Sequence, residues 1–168
     1  MKRRMIVVCA VTLCLAVGIL CLAADKTVGT WKVNVAKSKY SPGPAPKASM
    51  VKFEETGDNI KIVVDTTEAD GKATHNEWTG KYDGKDYPVK GDLNTDERAY
   101  KKTDDYTLEV VSKKAGKVTT TSKSVYSRDG KTRTLTTTGT NAQGQKVDNK
   151  RHLRKAVNRG PAASRRPQ

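Results

Sequence analysis

Apolar and polar side chains alternate from Thr30 to Ala36, with Trp31, Val33 and Val35 on one face and Lys32 and Asn34 on the other. That two-residue period is the mark of a half-buried strand. It recurs along the chain. Val51 and Phe53 share a face between Ser49 and Glu55, and Ile60, Ile62 and Val64 share one in the next segment. Trp78 and Tyr82 follow on a common face, then Tyr87 and Val89, then Arg98 and Tyr100 between Glu97 and Lys102. Tyr106, Leu108 and Val110 align, Val118–Tyr126 forms a further segment, and Arg133, Leu135 and Thr137 align in the one after. The last segment places Val147, Asn149, Arg151 and Leu153 on one face. No stretch after residue 24 carries the i, i+3, i+4, i+7 apolar spacing of a helix.

Turn signals separate these segments: Gly57-Asp58-Asn59, Asp70-Gly71, Asp83-Gly84, Lys90-Gly91-Asp92, Ala115-Gly116, Asp129-Gly130 and Gln143-Gly144. Glycine reaches the positive φ that tight hairpins require, so these pairs predict antiparallel neighbours. The pattern predicts an all-β meander of about ten strands. Such a meander has two edge strands and one apolar face, and closing into an up-and-down β-barrel disposes of both problems. A two-sheet β-sandwich is the competing arrangement. Ser41-Pro42-Gly43-Pro44-Ala45-Pro46 breaks the pattern, since proline fixes φ and donates no ladder bond. This segment is expected to bridge the first two strands without pairing.

The ends differ from this body. Lys2, Arg3 and Arg4 precede an uncharged apolar run over residues 5–22, and small residues at Ala23 and Ala24 suit a signal peptidase. Residues 1–24 are therefore expected to be a signal peptide, cleaved near Ala23 or Ala24, with an uncleaved anchor as the alternative. A lipoprotein anchor at Cys21 is disfavoured by Leu20 before it. Cys9, Cys14 and Cys21 are the only cysteines, so the remaining chain forms no disulfide or thiolate site. A disulfide-free exported domain suits a bacterial periplasm. The expected localisation is periplasmic or secreted. Of the formal net charge of +14, three positives lie in the leader, and seven basic residues with no acid lie between Lys150 and Gln168. Residues 25–149 are left near +4. Residues 25–155 read as the barrel domain and 156–168 as a disordered basic tail. That tail is a candidate for docking on an anionic envelope surface. Nucleic-acid binding is not expected, because the charge is not gathered on a folded face and the tail lacks aromatics.

Gly29-Thr30-Trp31 on the first strand resembles the Gly-x-Trp signature of the lipocalin and fatty-acid-binding-protein (calycin) superfamily. The longer run GTWKVNVAKSKYSPGPAPK, with ADGK and YDGKDYPV downstream, is similar to a group of small exported bacterial proteins described as lipocalin-like. The resemblance covers roughly residues 26–155. It implies a barrel closed at one end by Gly29 and Trp31, with a basic side chain of the last strand packed on the indole. Arg151 is expected in that role, by parity with Val147 and Leu153. Two departures stand out: the proline bridge occupies the place of the helical lid of fatty-acid-binding proteins, and Arg151-His152-Leu153 replaces their Arg-x-Tyr.

The alternation points Phe53, Trp78, Tyr82, Tyr87, Arg98, Tyr100, Tyr126 and Arg133 inward. Aromatic walls with guanidinium groups would suit a small amphipathic or apolar ligand with an anionic head. The same residues could instead fill a core, with the arginines reaching the rims. His75 and Glu77 share a face, but with only His152 besides and no cysteine they fall short of a zinc ligand set. Ser/His/Asp spacings, nucleophile elbows and phosphate loops are missing, and the turn aspartates serve as backbone caps. Neither catalysis nor a cofactor is expected.

Overall fold

A computed structural model describes residues 25–157. The segments read as leader (1–24) and as most of the tail (158–168) lie outside the described residues. Ten strands follow in chain order: β1 Gly29–Val33, β2 Ala48–Thr56, β3 Asn59–Thr67, β4 Ala73–Gly80, β5 Asp83–Lys90, β6 Glu97–Asp104, β7 Thr107–Lys114, β8 Lys117–Tyr126, β9 Thr132–Thr140 and β10 Lys146–Lys155. Each pairs antiparallel with its sequence neighbours, and β1 pairs with β10, so the sheet is a closed up-and-down barrel. The only helical element among the described residues is a short 3-10 turn, Val35–Lys37.

Closure depends on a short seam. Trp31 lies opposite Lys155, Lys32 opposite Arg154 and Val33 opposite Leu153. On its other side β1 meets β2 from Gly29↔Phe53 to Lys32↔Met50. The first strand ends at Val33, earlier than its alternation suggested. Asn34 turns the chain by capping the 3-10 turn, its side chain accepting from the Lys37 N–H at 3.2 Å. The chain then rejoins β10: Lys39 bridges Lys150, and the Asp148 N–H donates to the Ser41 carbonyl at 2.8 Å. The partner-free part of the bridge is therefore confined to residues 42–46. Residues 34–41 form a strap that continues the wall above β1.

One end of the barrel is a packed floor. Trp31 is 0% exposed, and its indole N–H donates to the Thr27 carbonyl at 2.9 Å. Tyr126 meets it edge-on, with ring centroids 5.3 Å apart. Thr27 is buried and shares a hydrogen bond with the Tyr82 hydroxyl, so the segment before β1 seals the floor from below. Gly29 takes a φ of +122°, a conformation that side chains rarely adopt, and the stem of Lys155 lies against it. Ile62, Trp78 and Leu153 complete this layer. Tyr82 sits in the turn after Gly80 rather than on β4, where its alternation had placed it.

Burying an indole of this size in a closed floor stabilises by several kcal/mol. Trp31→Ala is expected to lower unfolding stability by about 3–5 kcal/mol. Urea titration followed by circular dichroism measures it, and a loss under about 1 kcal/mol would contradict the floor's role.

Candidate functional site

Above the floor the side chains shrink and the barrel opens into a cavity of about 580 Å³, within the ordinary range for small-molecule sites. The inward positions follow from register. Val51 faces Val64, and Val64 faces Asn76, across β2, β3 and β4. Tyr100 faces Val110 across β6 and β7. Leu108, Ser124, Leu135 and Arg151 form one continuous rung across β7, β8, β9 and β10. Higher up, Thr66, Thr74, Ser112, Thr120, Thr137 and Asn149 give the mouth a hydroxyl- and amide-rich lining.

Of the residues expected to meet a ligand, Phe53, Arg98, Tyr100 and Arg133 line this cavity. Trp78, Tyr82, Tyr87 and Tyr126 do not. Trp78 donates its indole N–H to the Arg98 carbonyl at 2.8 Å and packs against Tyr87 and Tyr100. The Tyr87 hydroxyl donates to Asp83 at 3.0 Å. Tyr82 stays protonated far above the usual phenol range because burial disfavours its anion. These four aromatics are structural. Alternation reports which face a side chain takes but not its height along the barrel axis, and height separates floor from cavity.

The three interior arginines differ in their partners. Arg98 pairs with Asp92 at 3.0 Å in a mostly buried contact. Arg133 is 5% exposed, and its guanidinium carbon lies 4.8 Å from the Phe53 ring centroid, 5.2 Å from Trp31 and 5.6 Å from Tyr126. It also donates to the Tyr126 hydroxyl at 2.9 Å. Three ring faces thus take over part of its lost hydration. The guanidinium over Trp31 is this one, not Arg151, and a second cation, the Lys155 ammonium, sits 5.4 Å from the same ring. The reason is register: Lys155 lies directly opposite Trp31, which leaves Arg151 four residues further up β10.

Arg151 instead lines the cavity, and its Nε is buried without a hydrogen-bond partner. Burial, with repulsion from Arg133 and Arg98, pulls its pKa below the usual guanidinium range, partly countered by Tyr40. Tyr40 comes from the strap, its hydroxyl also buried and unpartnered, and burial raises its pKa. Neither the influence of Tyr40 on Arg151 nor the small hydroxyl residues of the lining were legible in the sequence. Serine and threonine at alternating positions look the same whether they face water or a cavity.

A closed ten-strand meander with a glycine-tryptophan first strand at its sealed end decides the architecture. The fold is a closed ten-strand up-and-down β-barrel. No family model matches the sequence, and no curated protein matches it. Among solved structures, the chain is similar to a redesigned β-barrel bound to DFHBI, at 14% identity and a TM-score of 0.46, over 79% of this chain and 100% of that one. It is also similar to the zebrafish ileal bile acid-binding protein complexed with cholic acid, at 15% identity and a TM-score of 0.46, over 78% and 99%. A de novo designed fluorescence-activating β-barrel shares 11% identity with a TM-score of 0.42, over 77% and 93%.

The unequal partnering of this barrel's interior arginines predicts opposite effects on stability. Arg98→Met strands Asp92 and is expected to cost about 2–4 kcal/mol. Arg151→Met removes an uncompensated interior charge and is expected to hold or raise the melting temperature, by about 3 °C per kcal/mol gained. Calorimetry of both variants checks this; a clear fall for Arg151→Met would mean that the protein itself satisfies that charge.

Proposed function

We propose that this protein is an exported, non-catalytic barrel that binds a small amphipathic anion in its interior. The observation that carries the proposal is Arg151, a guanidinium held in a partly apolar cavity without a carboxylate partner among the described residues. Such a charge is costly unless an anion meets it, and a bidentate carboxylate is the natural mate. Val51, Phe53, Val64, Leu108 and Val110 offer the apolar surface for the rest of the ligand. Binding rather than catalysis is supported by the state of the cavity's acids. Asp92 is engaged by Arg98, and Glu68 accepts from the Thr74 hydroxyl at 3.1 Å. Export is supported by the positive start, apolar run and small residues of positions 1–24.

Displacement of 1-anilinonaphthalene-8-sulfonate tests the interior site. Hexadecanoate is expected to compete about tenfold better than hexadecanol, a charge-assisted hydrogen bond's worth, and Arg151→Met is expected to erase that preference. Failure of both compounds to bind, or a preference that survives the substitution, would refute the proposal.

A second reading concerns the outer surface. Arg159, Arg165 and Arg166, the basic residues of 156–168 and unaccompanied there by acids, support attraction to an anionic envelope surface. Deleting residues 156–168 is expected to abolish co-sedimentation with phosphatidylglycerol vesicles at low salt while ligand displacement persists. Equal pelleting with and without the tail would remove this reading.

A further inference from the structure

Resting on the interior-binding reading, we infer that the cavity has a second polar subsite, built by Ser124 and Arg133. It selects amphipathic anions that carry a hydroxyl or comparable hydrogen-bonding group along their body as well as an anionic head. Ser124 is 1% exposed and lines the cavity, yet its hydroxyl has no hydrogen-bond partner. The cause is register. Its two cross-strand neighbours are Leu108 and Leu135, and neither side chain offers an acceptor. One step higher on the same face the outcome is different, because Ser122 lies opposite Thr137 and the two hydroxyls bond at 2.8 Å. A buried hydroxyl flanked by two leucines contributes nothing to the fold that alanine would not, and its desolvation costs free energy.

Arg133 repeats the pattern one step lower. Its guanidinium is held by the floor rings and the Tyr126 hydroxyl, but its Nε–H is buried, unpartnered and part of a side chain that lines the cavity. Strands β8 and β9 thus present a hydroxyl and an N–H donor to the same part of the cavity. Arg151 occupies the same rung as Ser124, two strands away, a backbone separation of about 10 Å at ordinary strand spacing. A head group on Arg151 therefore leaves Ser124 and Arg133 for a second group well down the ligand's body. Across the cavity Val51, Val64 and Val110 are apolar, and Asn76 on β4 adds a buried, unpartnered amide oxygen that can only accept. An unsubstituted chain would leave both groups of the subsite unpaired, and sites with unpaired buried polar groups discriminate strongly against ligands that fail to satisfy them.

The experiment measures displacement of 1-anilinonaphthalene-8-sulfonate from the protein by hexadecanoate and by a series of hexadecanoates bearing one hydroxyl in the middle of the chain. At least one hydroxylated isomer is expected to bind about tenfold tighter than hexadecanoate. In Ser124→Ala that ratio is expected to fall to about one, and in Ser124→Thr, which keeps the hydroxyl, to recover. If hexadecanoate binds and every isomer falls within about twofold of it, or if the preference survives Ser124→Ala, the second subsite is refuted and the interior-binding reading stands. If no member of the series binds, both fall.

Discussion

The structure depends on the seam between β1 and β10. Three register pairs join the ends of the sheet, and they do so beside Trp31, whose indole fills the cross-section that the seam encloses. Ladder closure and floor packing are therefore one event. The seam places Lys155 opposite Trp31, and adjacent β9 supplies Arg133 to the same ring. Without closure two edges would be exposed, and the apolar face of the meander would have nothing to pack against.

Given closure, side-chain volume divides the interior in two. Indole, phenol and leucine groups gather at the sealed end and exclude solvent, while valine, serine, threonine and asparagine higher up leave the cross-section open. The strap of residues 34–41 completes the wall where β1 is too short to reach, pairing with β10 through Lys39 and Ser41. It also carries Tyr40 into the neighbourhood of Arg151. A segment that in primary structure looks like a mere approach to the prolines thereby helps set the electrostatics of the cavity.

The energetics of that cavity are uneven in an informative way. Asp92 neutralises Arg98, and aromatic faces hold the guanidinium of Arg133, although its Nε–H stays unpartnered. Arg151 and the Ser124 hydroxyl receive no comparable compensation from the protein. Buried polar groups without partners are rare in stable domains, and here Asn76, Ser124, Arg133 and Arg151 each bring one to the same cavity.

Strand count, antiparallel order and barrel closure were legible from the two-residue period and the glycine turns, because backbone pleat and tight-turn geometry impose local rules. Trp31 as the floor residue was legible through its Gly-x-Trp context. The end of β1 at Val33 was not, since Asn34 turns the chain by capping a 3-10 turn whose own residues still alternate. Which cation covers Trp31 depended on how β1 and β10 slide against each other, and no local pattern records that register. Whether Tyr126 or Tyr100 meets the cavity depended on height along the axis, and whether Ser124 finds a partner depended on the residues brought beside it from β7 and β9. The chain's own pattern thus set the architecture, through interactions a few residues apart. Tertiary structure alone assigned the site, because its chemistry arises between side chains that only strand pairing makes neighbours.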